Sequence, residues 1–287
     1  AEVQRDVHRS TPVSEKCKVS PAADLRRRQV LIGMLLWHSR SVRADIAGYV
    51  NFLATRLHVW SDRDDTFLSN LVGFVRFSAS KALTWCLPHD AKLSVNAFFD
   101  ANLQVPRSHC SVSLALGNAE NQCMCLVDWS NKKASLACTA SAASELCAAF
   151  YCTSNITGVS SFLSDCIRSS EFVHEDPNAE YRLLGDNVSA LLVIQKGHTP
   201  MATSWSANRA YALRLAVLHQ QHAYRIFNLC HVRSAVNISD LASKVSHSRE
   251  VFVRMSELCG ISFGRPVMSI ALDLTSNPNK KLNKSLT

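Results

Sequence analysis

Apolar positions between Gln29 and about Ser80 recur at three and four residues. Leu31, Met34 and Leu35 open one stripe; Ile46, Tyr49, Val50, Leu53 and Leu57 form a second; Phe67, Leu68, Leu71, Val72 and Val75 form a third. That period belongs to one face of an amphipathic helix, so a small module of three helices is expected here, without a strand.

From Lys92 the period changes to two. Leu93-Ser94-Val95-Asn96-Ala97 alternates and runs into Phe98-Phe99-Asp100. Cys110, Val112, Leu114 and Leu116 alternate up to a Gly117-Asn118 turn, and Cys123, Cys125, Val127 and Trp129 share one face of a third run. This predicts a three-stranded antiparallel meander. A helix follows from about Ala140 to Thr153, then a short strand at Arg182-Leu183-Leu184 closing in Gly185-Asp186-Asn187. A helix over 188–196, another from about Asn208 to His219, a strand Tyr224–His231 and a helix beginning near Ser239 complete the pattern. The order is βββ-α-β-α-α-β-α, with the later strands parallel to the first through helical crossovers. The expected fold class is therefore α/β: a mixed five-stranded sheet in the ribonuclease H-like order, preceded by a small helical module. The expected divisions are a basic tail over 1–28, the helical module over 29–90, the sheet domain over 91–246, and a helix with a basic extension over 247–287.

The chain has 287 residues, 47% of them hydrophobic and 19% charged, enough for a sizeable core and too apolar for a wholly disordered protein. Its longest apolar runs, Val30-Leu31-Ile32 and Leu35-Leu36-Trp37, fall far short of a membrane span, so a soluble protein is expected. The formal charge is +8, and its placement matters more than its total. Residues 1–28 carry seven Lys/Arg against four Asp/Glu, and 275–287 carry three Lys and no acid, which leaves the body nearly neutral. A basic arm at each end either favours a polyanion such as nucleic acid or is simply a solvated tail.

The 11 cysteines are irregularly spaced and odd in number. Only Cys123 and Cys125 lie close together, with no second pair or histidine at zinc-ligand spacing, so core thiols in a reducing compartment are expected. Cytosol, nucleus and an organelle matrix such as the mitochondrial one all fit. The Asn-x-Ser/Thr triplets at Asn155, Asn187, Asn237 and Asn283 are then read as chance matches.

Four acids occupy telling places in this scheme. Asp100 ends the first strand, Glu145 sits mid-helix beside Leu146, Asp186 closes the fourth strand and Asp240 opens the last helix. Carboxylates from four separate elements can converge at one end of a sheet and hold two Mg²⁺ ions, which clamp the attacking water and the leaving oxygen of a phosphodiester. Each also has a plainer reading: a helix N-terminus for Asp240, a turn for Asp186, a solvated helix face for Glu145, a strand exit for Asp100.

The same residues carry a resemblance. The chain is similar to the C-terminal part of a copia-type retrotransposon polyprotein, where reverse transcriptase ends and RNase H begins. Leu31-Ile32-Gly33-Met34-Leu35-Leu36-Trp37 and Arg43-Ala44-Asp45-Ile46 resemble the helical segment before RNase H. Phe99-Asp100-Ala101 resembles the first catalytic strand, Arg107-Ser108 the turn after it, and Trp129-Ser130-Asn131-Lys132-Lys133 the Trp-x-x-Lys-Lys feature. Ser141 to Leu146 looks like the catalytic helix, Asp186-Asn187-Val188-Ser189-Ala190 the third acidic motif, and Asn237 to Lys244 the last. The likeness covers about 29–262. It implies hydrolysis of RNA in an RNA–DNA hybrid, with Asp100, Glu145, Asp186 and Asp240 as catalytic metal ligands and Arg107, Lys132, Lys133 and Asn187 near nucleic acid. Such an enzyme reads its RNA strand through 2′-hydroxyls and backbone.

The departures point another way. The family's Asp-Ala-Asp-Trp strand end is Asp100-Ala101-Asn102-Leu103 here, its acidic helix reads Ala140-Ser141-Ala142-Ala143-Ser144-Glu145, and its basic segment has become His198-Thr199-Pro200-Met201-Ala202-Thr203. Two functions therefore stand side by side. One is a working, Mg²⁺-dependent RNase H. The other is a domesticated structural or RNA-binding subunit of a large ribonucleoprotein such as an organellar ribosome. In that second role Arg26, Arg27, Arg28, Lys280, Lys281 and Lys284 of the tails would lie along structural RNA, binding without sequence preference.

Overall fold

The computed structural model describes residues 22–81, 83–84, 93–103, 107–118, 124–169, 180–199, 208–245 and 247–261. The expectations for Cys123, for Lys280, Lys281 and Lys284, and for most of the basic tails lie outside the described residues.

Three helices lead the chain: α1 (Ala22–Ser41), α2 (Ala47–Arg56) and α3 (Asp62–Phe77), with 3₁₀ turns at Ala44–Ile46 and Leu57–Val59. The helix α1 begins before the apolar stripe and takes in Arg26, Arg27 and Arg28. Its inner face also differs from the expected one. Ile32 and Leu35 are buried, while Met34 is 58% exposed beside Val30 and Trp37. The reason is the partner: Ile32 and Leu35 meet Ile46, Val50 and Leu53 of the second stripe and Leu68 and Leu71 of the third. A capping box starts α3, the Ser61 side chain accepting from the backbone of Asp64 and Asp64 accepting from Ser61 N at 2.8 Å.

The Arg43-Ala44-Asp45-Ile46 motif joins these helices. Arg43 Nε and Nη2 donate to the two Asp45 oxygens at 2.8 and 2.9 Å, and Nη2 also reaches Ser78 Oγ at 2.8 Å. The pair is buried and bidentate, the geometry in which an arginine–carboxylate pair is strongest.

The sheet holds β1 (Leu93–Asn102), β2 (His109–Asn118), β3 (Met124–Lys133), β4 (Glu180–Gly185) and β5 (Asn228–His231), in the spatial order β3-β2-β1-β4-β5. β1, β2 and β3 are antiparallel neighbours, and β4 and β5 run parallel to β1. With α4 (Ser141–Ser169), α5 (Val188–Lys196) and α6 (Arg209–Ala223) as crossovers, this is the ribonuclease H-like fold, with the helical module before it.

Two elements differ from the alternation in the sequence. In β3, Asp128 faces Leu114 and Leu126 faces Ala115, so Val127 is an extra residue in a bulge. The bulge reverses the faces. Val127 packs with Val95, Ala97 and Phe99 on one side of the sheet, and Trp129 packs with Phe98 and Leu126 on the other. Cys125, Val127 and Trp129 therefore do not share one face. The fifth strand is also shorter than expected, because α6 runs to Ala223 and the chain turns through Arg225 at φ 56°.

The crossover helices cover one sheet face through Leu146, Ala149, Ile194, Tyr211 and Leu218. The other face meets Ala44 and Ala47 of the helical module, α7 (Asp240–Ser243) and α8 (Arg249–Leu258). The helix expected from near Ser239 is only one short turn, and a separate helix follows it within the region expected to hold a C-terminal helix. Among the described cysteines, Cys110, Cys125, Cys138, Cys147, Cys152 and Cys259 are buried, as core thiols should be, and Cys230 is half-buried. No helix among the described residues is long and apolar enough to cross a membrane.

Candidate metal centre

The pairing of β4 with β1 stops at Phe98–Leu184, so the last residues of β1 run on without a strand on that side. The segment between β5 and α7 fills the gap. Asn237 Nδ2 donates to the Phe99 carbonyl at 3.1 Å and Ser239 Oγ to the Phe98 carbonyl at 2.8 Å. These bonds replace the missing ladder and hang α7 beside Asp100. β4 ends in Gly185, which leaves Asp186 just past its carboxyl end, and α4 brings Glu145 across from the crossover side. Ligand sites in open α/β sheets lie at this end of the strands.

Asp100, Glu145 and Asp186 meet there. One ligand oxygen from each lies within 4.8 Å of the others. Asp100 and Glu145 are buried, and Asp186 is half-buried. Asp100 accepts a hydrogen bond from Ser243 Oγ, and Asp186 Oδ2 accepts one from Ser234 Oγ at 2.5 Å. Glu145 Oε2 is buried without a hydrogen-bond partner among the described residues. Burial, then the neighbouring Asp100 and Asp186, push the Glu145 carboxyl up to about 9. A buried carboxylate oxygen without a donor, on an acid that meets two others, is what a hard divalent cation would satisfy. The donor set fits such an ion.

Asp240 is placed differently from the expected convergence of four. It lies outside the three-acid group and is bound instead by Lys244, whose Nζ is 2.8 Å from Asp240 Oδ1 and 3.4 Å from Asp100 Oδ1. Burial, then Asp100, raise the Asp240 carboxyl to about 8 against the pull of Lys244. Burial pulls the Lys244 ammonium down, but Asp100 and Asp240 outweigh it and raise its pKa. His247 Nε2 lies 3.1 Å from the Asp240 carbonyl oxygen. Sequence alone assigns no role to Lys244, Ser243 or Ser234: the four-residue step from Asp240 to Lys244 is visible in it, but the contact of Lys244 with Asp100 is not.

The other expected contacts are scattered. Arg107, Lys132 and Lys133 are exposed. The register Asn102–His109–Lys133 across β1, β2 and β3 puts them at the same end of the sheet as Asp100. Asn187 caps α5, its side chain accepting from Ala190 N at 3.1 Å. Arg28 is held by Asp65 through bonds of 2.9 and 2.6 Å and lies over Trp60, while Arg26 and Arg27 are exposed on α1.

No protein-family model matches the sequence, and no curated protein matches it. Three solved structures similar to the chain are RNases H. RNase H1 of the archaeon Halobacterium salinarum is 16% identical over 51% of this chain and 90% of its own, with a TM-score of 0.29. The N-terminal RNase H domain of a Mycobacterium tuberculosis protein is 13% identical over 57% and 97%, with a TM-score of 0.32. An RNase H1 isolated from compost by a metagenomic approach is 12% identical over 68% and 99%, with a TM-score of 0.31. The strand order and directions of the sheet itself assign the fold.

Proposed function

We propose that this chain is a nuclease of the RNase H kind, derived from a copia-type element, that cuts the RNA strand of an RNA–DNA hybrid. The observation that carries this reading is the meeting of Asp100, Glu145 and Asp186, with Glu145 Oε2 buried and without a hydrogen-bond partner among the described residues. These three side chains would hold Mg²⁺. A divalent ion in such a site polarises a phosphoryl oxygen and makes water a nucleophile near neutral pH.

The chain's own groups prepare the reaction. β1, β4 and α4 are packed elements, so the three carboxylates are fixed before substrate arrives, and Ser243 and Ser234 orient two of them. Arg107, Lys132 and Lys133 would neutralise phosphates of a duplex lying across this end of the sheet. Those contacts carry no base information, so binding should weaken steeply with salt.

Incubating the protein with a hybrid labelled on its RNA strand, with Mg²⁺ or with chelator, tests the reading. The expected result is Mg²⁺-dependent cleavage leaving 5′-phosphate and 3′-hydroxyl ends, lost in Asp186→Asn. Single-stranded RNA should survive.

A second reading, a domesticated RNA-binding subunit of a large ribonucleoprotein in an organelle, has one observation of its own. Lys244 already neutralises Asp100 and Asp240. A folded protein that leaves the hybrid intact in Mg²⁺ and in Mn²⁺ would favour it.

A further inference from the structure

Asp100 and Asp240 form a second pair of buried carboxylates beside the three-acid group, with side-chain exposures of 3% and 5%. Two buried carboxylates this close call for a cation between them, whether a divalent ion or an ammonium. Here Lys244 Nζ stands in that gap, 2.8 Å from one carboxylate and 3.4 Å from the other. The fold holds it there. Lys244 leaves the end of α7 with extended backbone, its N–H donating to the Asp240 carbonyl, and Ser243 just before it binds Asp100. The lysine side chain is 36% exposed, and its Nζ reaches both acids.

We propose that Lys244 is a tethered cation in the place of a second metal ion, so that this site takes one divalent ion, held by Asp100, Glu145 and Asp186. The inference deepens the nuclease reading and rests on it. An ammonium brings one charge and three donors at a fixed position. It balances Asp100 and Asp240 without the ligand geometry a metal demands, and its third donor, which has no partner among the described residues, would face a phosphate oxygen. Asp240 is then a positioning residue that holds Lys244, whereas Glu145 is a ligand.

Calorimetric titration of the full chain with Mn²⁺, with folding of every variant verified by circular dichroism, separates the possibilities. The wild type should bind one ion per chain. Glu145→Gln should bind it at least about tenfold more weakly, the scale of loss seen even when a partner of a metal ligand is removed. Asp240→Asn should keep the single ion, and Lys244→Met should gain a second site that Asp240→Asn in the same chain removes again. Two ions on the wild type, or loss of an ion in Asp240→Asn, would overturn the inference and leave the nuclease reading standing. A folded Lys244→Met chain that still takes one ion would also overturn it. A wild-type chain that binds no ion would overturn the nuclease reading itself.

Discussion

Phe99 and Gly185 touch ring to backbone, and each directly precedes an acid of the three-acid group. A Cβ at Gly185 would fall well inside contact distance of Cζ, Cε1 and Cε2 of the Phe99 ring. The glycine before Asp186 is therefore required by space: only there can β4 lie close enough to β1 for Asp186 to reach Asp100. Gly185→Ala must push a fully buried ring out of place. We expect a loss of about 1–3 kcal/mol in stability, read by denaturant unfolding, together with weaker Mn²⁺ binding as Asp100 moves with Phe99.

The helical module reaches the site through a second glycine. A Cβ on Gly48 of α2 would stand 2.5 Å from the Leu241 carbonyl oxygen and 2.9 Å from that of Lys244, both backbone atoms. α2 thus seats directly on the short turn that carries Asp240. Gly48→Val should lower the melting temperature and also displace Lys244, changing Mn²⁺ affinity although residue 48 is no ligand. A variant that melts early but binds Mn²⁺ unchanged would show that the module only supports the fold.

The buried Arg43–Asp45 pair makes a simpler prediction. Asp45→Ala leaves a buried guanidinium with only Ser78 and the face of Phe74 as partners among the described residues. Breaking a buried pair from one side costs about 3–5 kcal/mol. Urea unfolding should show a loss of that size, while a loss below about 1 kcal/mol would mean that the pair is hydrated.

Stability of the metal-free protein should depend on pH in a particular direction. Glu145 and Asp240 are raised to about 9 and about 8 in the folded chain, first by burial and then by neighbouring acids. An unfolded chain ionises such groups near pH 4. The folded state therefore binds more protons between these values, and stability from this source is full below about pH 4 and lost as pH rises through 8 and 9. The melting temperature without metal should fall from about pH 6 to about pH 9, and Glu145→Gln should flatten that fall. A curve that rises with pH, or the same fall in the variant, would contradict the assignment.

Much of this was legible in the sequence, for identifiable reasons. Alternation marked β1 and β2 because each is half-covered on two faces, and Asn187 and Gly197 bound α5 at the positions its pattern predicts. Asp100, Glu145 and Asp186 could be named because each interrupts or closes an apolar run. The bulge at Val127 was not legible, since an extra residue in β3 is defined only by its partner on β2. Met34 and Ile32 exchanged roles for a similar reason: α1 is apolar on more than one side, and only the packing of α2 decides which side is inner. The role of Lys244 depends on a contact with Asp100 from across the chain, which spacing from Asp240 cannot reveal.

The role proposed for Glu145, that of a metal ligand in a nuclease, is open to direct test. The most direct measurement is the Mg²⁺-dependent cleavage rate of a labelled RNA–DNA hybrid by the wild type beside Glu145→Gln, an isosteric change in a buried helix position. Cleavage by the wild type is expected, with a loss of at least about a hundredfold in the variant, the scale set by removing one group that stabilises transition-state charge. Equal rates in both, or an intact hybrid with a folded wild type, would contradict that role.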